Sequence, residues 1–318
     1  MKRTFRILNM ADVTPFPQAL DSLCKVAQVT TLPADQQLFD SVIGDYDGYF
    51  ASLYVQATQE VLEHAPRLKV IATPSTGLDH VDMKTVTRRG IKVLSLKEET
   101  PFLESITSTA EMTWALLLAV VRRLPWSFEA VKNGHWARDE FRGHQLSGKT
   151  LGILGYGRLG RMVAEYGKAF GMHVLACDNI LDDGTPEVTR VDFSTLLWES
   201  DIVSIHIHLT PENHRLFNQD IFAQMKPGAI LLNTSRGAII DETALCAALE
   251  SGHLGGAGLD VIDGEWNPDL KNHPLIAYAR RHQNLVITPH IGGVTLEAQR
   301  DTLEFTARKL ADFLSNLG

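Results

Sequence analysis

Runs of β-branched and aliphatic residues alternate along the chain with segments of helical periodicity. Five runs in the first third predict strands, at residues 5–9, 26–31, 48–52, 68–73 and 91–96. Residues 60–64 and 83–89 have the spacing expected for parts of the helices between these strands. Because parallel neighbours need a crossover connection, this alternation predicts a parallel sheet with helices packed on it.

The same alternation starts again near residue 149. Six further strands are predicted, at residues 149–154, 173–177, 202–206, 229–233, 258–261 and 285–288. The whole pattern predicts an α/β protein with two doubly wound parallel-sheet domains.

A long apolar segment separates the two series of strands. Residues 108–132 have helical periodicity, and Pro125 is expected to break or kink that helix. Residues 133–148 show no clean period and are interpreted as an extended arm or loop, whereas residues 295–317 again predict a helix. The inward face of the long helix is predicted from apolar residues at helical spacing: Met112, Ala115, Leu116, Ala119 and Val120.

Composition and charge exclude several classes of protein. The 318 residues are 44% hydrophobic and carry a net charge of −8, so we expect a small-molecule ligand and binding neither to nucleic acid nor to an anionic membrane. Cys24, Cys177 and Cys246 lie far apart, which indicates reduced thiols in the cytoplasm, and no metal site is predicted. The most apolar run, residues 114–121, is far shorter than the roughly 20 residues that span a bilayer, and the charged N-terminus is unlike a secretory leader.

A glycine-rich turn follows the first predicted strand of the second series. Gly155, Gly157 and Gly160 form the pattern GxGxxG between that strand and a helical segment, and Arg158 and Leu159 lie within it. Such a turn lets the backbone approach a pyrophosphate at a helix N-terminus.

Asp178 stands at the end of the next predicted strand, where a carboxylate binds the adenosine ribose and repels a 2′-phosphate. Residues 179–181 bring no Arg or Lys to reverse this preference, so NAD is favoured over NADP. The alternative is a glycine-rich turn in which Asp178 only caps a loop.

Three ionisable side chains follow predicted strands of the second series, where α/β sheets bind ligands. These are Arg236, Glu265 and His290. A guanidinium binds a carboxylate, an imidazole moves a hydroxyl proton and a carboxylate holds the imidazolium, which together serve the oxidation of a 2-hydroxy acid. Each also has a structural interpretation, as a surface charge, a solvated loop acid or a histidine with a structural hydrogen bond.

Six stretches form an ordered set of motifs: TGLDHVD at 76–82, AE at 110–111, LSGKTLGILGYG at 146–157, NTSRG at 233–237, GLDV at 258–261 and TPHIGG at 288–293. As a set they resemble the D-isomer-specific 2-hydroxyacid dehydrogenase family, which includes D-lactate, glycerate/hydroxypyruvate, phosphoglycerate and formate dehydrogenases. The resemblance covers nearly all of the chain.

The resemblance implies an architecture. A Rossmann NAD-binding domain, residues 106–289, would be inserted in a discontinuous, flavodoxin-like substrate domain made of residues 1–105 and 290–318. The cleft between the domains would close over the substrate. A homodimer formed through the long helix and the arm is also implied.

The resemblance also implies roles for individual residues. Arg236 would bind the substrate carboxylate and carbonyl oxygen, and His290 would be the acid in reduction and the base in oxidation, with Glu265 stabilising its protonated form. Backbone around Ser75, Thr76 and Gly77 would hold the substrate carboxylate. A further group would contact the cofactor: Arg158 and Leu159 at the pyrophosphate, Asp260 at the nicotinamide carboxamide, and also His206 and Thr234.

The sequence departs from the family pattern in three places. His208 replaces the usual proline of a His-x-Pro-Leu-Thr motif, either re-aiming that loop or simply standing in it as an exposed residue. The segment 97–104 is acidic, either a solvated charge cluster or a loop that tunes domain closure or contacts the substrate. Residues 46–63 contain no Arg or Lys for a substrate phosphate, and no regulatory domain follows Gly318, which together disfavour 3-phosphoglycerate.

Residues Leu53 and Tyr54 suit a substrate with an uncharged or modestly polar tail.

Two other classes of function compete with the enzyme. One is a non-catalytic, NAD-sensing corepressor-like protein, which does not need all three ionisable groups. The other is a related NAD-binding hydrolase or amino-acid dehydrogenase, which needs a catalytic lysine or a suitable cysteine arrangement that the sequence lacks.

Overall fold

The computed structural model describes residues 4–179, 188–267 and 269–317. The chain divides into two compact units, the first made of Met1–Ile106 and Leu296–Gly318 and the second of Thr107–Thr295. The first boundary lies one residue from the predicted one, whereas the chain leaves the second unit after residue 295 and not after 289. The backbone N–H groups of Ile291 and Gly292 hydrogen-bond to the carboxylate of Asp260, which keeps this segment with the second unit.

The first unit is built on a five-stranded parallel sheet. Its strands are β1 (Phe5–Asn9), β2 (Ala27–Thr31), β3 (Gly48–Phe50), β4 (Val70–Ala72) and β5 (Lys92–Leu94), in the order β2-β1-β3-β4-β5. Its helices are α1 (Asp21–Cys24), α2 (Gln36–Val42), α3 (Gln59–Glu63), α4 (Met83–Arg89) and α5 (Thr100–Leu103), with the last helix of the chain. This strand order is flavodoxin-like, as predicted.

The second unit is built on a seven-stranded parallel sheet. Its strands are β6 (Thr150–Leu154), β7 (His173–Cys177), β8 (Thr189–Arg190), β9 (Ile202–Ile205), β10 (Ala229–Asn233), β11 (Leu254–Leu259) and β12 (Leu285–Ile287). Its helices are α6 (Ser108–Val121), α7 (Leu124–Lys132), α8 (Arg158–Ala169), α9 (Phe193–Glu199), α10 (Gln219–Gln224), α11 (Glu242–Glu250) and α12 (Pro274–Ala279). The order β12-β11-β10-β9-β6-β7-β8 is that of a Rossmann domain and confirms the predicted fold class.

The predicted long helix is interrupted before Pro125. Helix α6 ends at Val121, and Arg123 adopts a left-handed conformation (φ 54°) before α7 begins. Proline is tolerated in the first turn of a helix, so Pro125 lies inside α7 near its start.

The predicted inward face of this helix is only partly right. Ala115 is exposed, whereas Trp114 and Leu117 are buried against the sheet of the second unit. Because α6 is apolar on most of its surface, its periodicity does not single out one face.

Helix α13 (Leu296–Leu317) returns to the first unit. Its buried residues Leu303, Ala307 and Leu310 recur at helical spacing and pack in one cluster with Phe5 and Ile7 of β1. No helix in the described ranges is both long and apolar enough to cross a bilayer.

Candidate active site

The glycine turn connects β6 to α8 at the point where the strand order of the second unit reverses. Gly155 has φ +92°, and a Cβ there would lie 2.7 Å from the backbone oxygen of His206. A Cβ on Gly160 would lie 2.1 Å from the backbone oxygen of Gly155, so the helix packs tightly on the turn. A Cβ on Gly157 would meet open space.

These three positions fit a dinucleotide phosphate. Gly157 is the N-cap of α8, and its open surface lets a ligand approach the first N–H groups of that helix. Gly155 and Gly160 supply the close packing that holds the turn in place. The arrangement matches the requirement for a pyrophosphate at a helix N-terminus.

Asp178 follows the last residue of β7 and accepts a hydrogen bond from the backbone N–H of Tyr156 at 2.6 Å. The acidic residue is therefore tied to the glycine turn itself. Ile180 and Leu181, on which the absence of a neighbouring cation partly rests, lie outside the described residues.

His206 follows β9, and its imidazole Nε2 lies 2.8 Å from Ser204 Oγ. Burial lowers the pKa of His206 to about 4, so the ring is neutral at pH 7. Within the described residues Nδ1 is buried without a hydrogen-bond partner.

The loop after β9 holds its shape without the family's proline. His208 is exposed, and its carbonyl oxygen accepts a hydrogen bond from Asn213 Nδ2 at 2.6 Å. Asn213 Oδ1 in turn accepts the N–H of Thr210 at 2.7 Å. His208 is therefore an exposed residue of this loop.

Arg236 lies in the loop between β10 and α11 and is partly buried. Buried Asn233 organises this loop, because its Nδ2 donates to the carbonyl oxygen of Arg236 at 2.8 Å. A Cβ on Gly237 would lie 2.0 Å from the carbonyl carbon of Ile262, so the arginine loop rests on the backbone that leads to Glu265. Thr234 is buried, and its hydroxyl lies 2.9 Å from that of Thr113.

Glu265 and His290 form an ionisable pair. His290 Nδ1 lies 2.6 Å from Glu265 Oε1, and both side chains are partly buried. With Nδ1 committed to the carboxylate, Nε2 is the nitrogen that can exchange a proton with a ligand.

The backbone of His290 is left-handed, with φ 54°. For a residue other than glycine this conformation costs about 1–3 kcal/mol and must be held by its surroundings. Asp260 provides that support, since its backbone oxygen accepts the N–H of His290 and its buried carboxylate accepts Thr288 Oγ1 and the N–H groups of Ile291 and Gly292.

Trp266 is a site residue that sequence reasoning missed. Its ring stacks on the His290 imidazole, with centroids 5.9 Å apart and planes at 27°, and 44% of the residue is exposed. A single tryptophan in a loop carries no periodic signal. Its position directly after Glu265 was the available clue.

Ser75, Thr76 and Gly77 follow β4 in the first unit. Ser75 Oγ donates to the carbonyl oxygen of Gly77 at 2.8 Å and lies 2.8 Å from Thr73 Oγ1, which fixes a tight loop.

The acidic segment of this unit is more than a solvated charge cluster, because Glu99 pairs with Lys309 of α13. No three His, Cys, Asp or Glu side chains in the described part of the chain form a group able to hold a metal ion.

The Rossmann strand order, the glycine turn and the tethered acidic residue of the second unit are those of a dinucleotide-binding domain, and the first unit is a flavodoxin-like domain. A sequence model of the D-isomer specific 2-hydroxyacid dehydrogenase NAD binding domain matches residues 114–292. The chain belongs to the D-isomer-specific 2-hydroxyacid dehydrogenase family, and is an NAD-dependent enzyme of that family. The predicted family, class of enzyme and cofactor are confirmed.

Relatives of known name cover most of the chain. It is 40% identical to a glyoxylate reductase of Thermococcus litoralis, over 80% of this chain and 76% of the relative. It is 34% identical to a D-3-phosphoglycerate dehydrogenase of Synechocystis sp., over 98% of this chain but only 56% of that longer protein. A crystal structure of D-lactate dehydrogenase from Aquifex aeolicus complexed with NAD and lactic acid has a TM-score of 0.84 at 30% identity, covering 98% of this chain and 96% of that one.

Proposed function

We propose that the enzyme interconverts a D-2-hydroxy acid and its 2-keto acid with His290 as the acid and base. The observation that carries this proposal is the 2.6 Å contact between His290 Nδ1 and Glu265 Oε1. In reduction, His290 Nε2 gives a proton to the carbonyl oxygen, and in oxidation it takes the hydroxyl proton. Glu265 stabilises the imidazolium and fixes the ring orientation. NAD, when bound, supplies the hydride exchange.

Arg236 is proposed to bind the substrate carboxylate and the reacting oxygen. A guanidinium presents two parallel N–H donors to such a pair of acceptors and keeps its charge at every working pH. Backbone N–H groups at Ser75, Thr76 and Gly77 are proposed to bind the carboxylate as well. Within the described residues, the N–H groups of Thr76 and Gly77 donate to no protein acceptor, which supports this role.

The cofactor-binding residues are proposed from the same geometry. Gly155, Gly157 and Gly160, with the backbone of Arg158 and Leu159, would hold the pyrophosphate. Asp178 would bind the ribose and Asp260 the nicotinamide carboxamide. His206 and Thr234 would contact the rest of the cofactor. Asp260 Oδ2 accepts one backbone N–H, which leaves this oxygen able to accept a carboxamide N–H as well.

Replacing Asp178 with alanine is expected to weaken NADH binding about tenfold and to relax the preference for NADH over NADPH by a similar factor. The substitution removes both the acceptor for the ribose and the negative charge that repels a 2′-phosphate. Dissociation constants for both cofactors, from fluorescence titration, measure the effect. Asp178→Asn is the matched control for the bond to Tyr156, because an amide oxygen still accepts that N–H. An unchanged NADH/NADPH ratio in Asp178→Ala would remove Asp178 from the ribose site.

The substrate is proposed to be a small 2-keto acid such as glyoxylate or hydroxypyruvate. Leu53 and Tyr54, just after β3, are exposed, and residues 46–63 contain neither Arg nor Lys to bind a phosphate. Relatives named glyoxylate reductase and hydroxypyruvate reductase support this class.

NADH oxidation across a panel of 2-keto acids tests the proposed function. The panel contains glyoxylate, pyruvate, hydroxypyruvate, 2-ketoisocaproate, phenylpyruvate, oxaloacetate and 3-phosphohydroxypyruvate. We expect turnover of the small acids and a much lower kcat/KM for the phosphorylated one. No turnover of any acid in the panel, with NADH still binding, would favour the non-catalytic NAD-sensing alternative.

A homodimer is proposed from the surface of α7. None of its residues is buried, although it carries several apolar side chains, and the following arm carries Trp136 at 85% exposure. Exposed apolar patches of this kind mark interaction surfaces.

All three cysteines are free thiols, which supports the proposed cytoplasmic location.

Light scattering is expected to give twice the 35.2 kDa chain mass for the wild type. Phe128, on α7, is 69% exposed, and Phe128→Asp is expected to shift the population to monomer because it places a charge in the proposed interface. Trp198→Asp, at an exposed tryptophan on α9, is the matched control. A monomeric wild type, or equal effects of both substitutions, would contradict this interface.

A further inference from the structure

A second histidine–glutamate pair lies at the base of the loop that carries Glu265. Glu242 Oε1 accepts the backbone N–H of Asp263 at 2.7 Å. Glu242 Oε2 lies 3.2 Å from His273 Nε2, and the same nitrogen lies 3.0 Å from the carbonyl oxygen of Asp263. One carboxylate and one imidazole thus join the two ends of the segment from 263 to 273.

Glu242, whose carboxylate closes this loop, lies on a helix that is anchored in the core. Glu242 is the first residue of α11, whose N-cap Asp241 accepts the N–H groups of Thr243 and Ala244. The helix is anchored in the core by buried Leu245 and Leu249. The position of Glu242 is therefore set by the core of the second unit and not by the loop that it holds.

Both side chains are mostly buried, Glu242 at 13% and His273 at 12% exposure. Burial raises the pKa of Glu242, and the bond from Asp263 together with the nearby His273 opposes that rise. Burying a carboxylate is costly unless its hydrogen bonds are made. The folded state is therefore expected to keep Glu242 bound to Asp263 and His273.

The histidine has a defined tautomer. Among the described residues no group bonds its buried Nδ1, whereas Nε2 faces two acceptors. A buried N–H without an acceptor is more costly than a bare lone pair on an aromatic nitrogen, which places the proton of neutral His273 on Nε2. From there it donates toward Asp263 and Glu242.

We propose that Glu242 and His273 are positioning residues that fix Glu265 against His290. Glu265 lies only two residues after Asp263, so the bond that holds Asp263 also sets where the Glu265 side chain begins. Trp266, which stacks on His290, is carried by the same segment. The inference rests on the proposed acid–base role of His290 and Glu265, and neither Glu242 nor His273 touches the reacting atoms.

The test is a double-mutant cycle between Glu242→Ala and Glu265→Gln. Misplacing a catalytic group by about 1 Å can cost up to about 10²-fold in rate. In the wild-type background we expect Glu242→Ala to lower kcat about 10- to 100-fold and to move the pH profile of kcat toward that of Glu265→Gln. In the Glu265→Gln background the same substitution is expected to change kcat less than about twofold, because the group it positions is already gone. NADH affinity is expected to stay unchanged.

Control variants separate positioning from general damage. Glu250→Gln, at the exposed other end of α11, is expected to leave kcat and its pH profile unaltered. Glu242→Gln and His273→Gln keep most of the volume and serve if the alanine variant does not fold. Each is expected to show part of the same pH shift.

Equal losses of kcat in both backgrounds, or a loss with an unmoved pH profile, would overturn the positioning role. So would full activity in Glu242→Ala. Failure of the proposed function is distinguishable from these outcomes, since it is seen in Glu265→Gln alone: if that variant keeps the wild-type rate and profile, the acid–base pair itself is wrong.

Discussion

Replacing His290 with glutamine is expected to lower kcat by at least about 10²-fold while NADH still binds with nearly its wild-type affinity. The substitution removes the only nitrogen that the 2.6 Å contact with Glu265 orients for proton exchange. Glutamine cannot take up and release a proton near neutral pH, so the loss falls on the chemical step. Steady-state kinetics with the best 2-keto acid of the panel, together with an NADH titration, measure it.

The left-handed backbone at position 290 calls for a control. Asparagine tolerates φ 54° better than glutamine does, so His290→Asn separates lost chemistry from backbone strain. Both variants are expected to lose activity to a similar extent, with thermal midpoints close to that of the wild type. Wild-type turnover in either variant would remove His290 from the chemistry.

Replacing Arg236 with glutamine is expected to lower kcat/KM for the keto acid by about 10²- to 10³-fold. Two charge-assisted hydrogen bonds to the substrate would be lost, each contributing about 1.5–3 kcal/mol. Arg236→Lys keeps the charge without the paired N–H donors and is expected to recover only part of the loss.

The loop beneath Arg236 should survive this change. Asn233 and the close packing of Gly237 on Ile262 hold the backbone of this loop, to which the guanidinium adds a hydrogen bond from Arg236 Nη1 to the carbonyl oxygen of Ser235 at 2.7 Å. Arg281→Gln, at an exposed arginine of the same unit, is the matched control. An equal, small effect of both substitutions would contradict a substrate-binding role for Arg236.

The strand–helix alternation predicted both sheets except for β8, because each of the other strands is a short run rich in β-branched or aliphatic residues, whereas β8 consists of the two exposed polar residues Thr189 and Arg190. It failed at β11, where the predicted strand begins at residue 258 and the observed one at Leu254. Gly255 and Gly256 mask the pattern there, and a Cβ on Gly256 would lie 2.7 Å from Val120 of α6. The glycines permit helix α6 to pack closely on the strand, a tertiary requirement with no periodic signature.

Some residues of the candidate site could likewise be predicted from the sequence, and others could not. The glycine turn and Asp178 could be found because their spacing is local, and the pairing of Glu265 with His290 was implied by family resemblance. Glu242 and His273 could not be found, because they are 31 residues apart in sequence and meet only through the loop they close. Likewise, the bonds from Asp260 to the His290 turn depend on the adjacency of β11 and β12.

The stereochemistry of the product shows directly whether the enzyme makes a D-2-hydroxy acid from a 2-keto acid. The enzyme is incubated with NADH and hydroxypyruvate, and the glycerate formed is resolved by chiral chromatography while NADH loss is followed in the same sample. We expect D-glycerate alone, in equal amount to the NADH consumed. L-glycerate, a racemic product, or no glycerate under conditions where NADH demonstrably binds would contradict it.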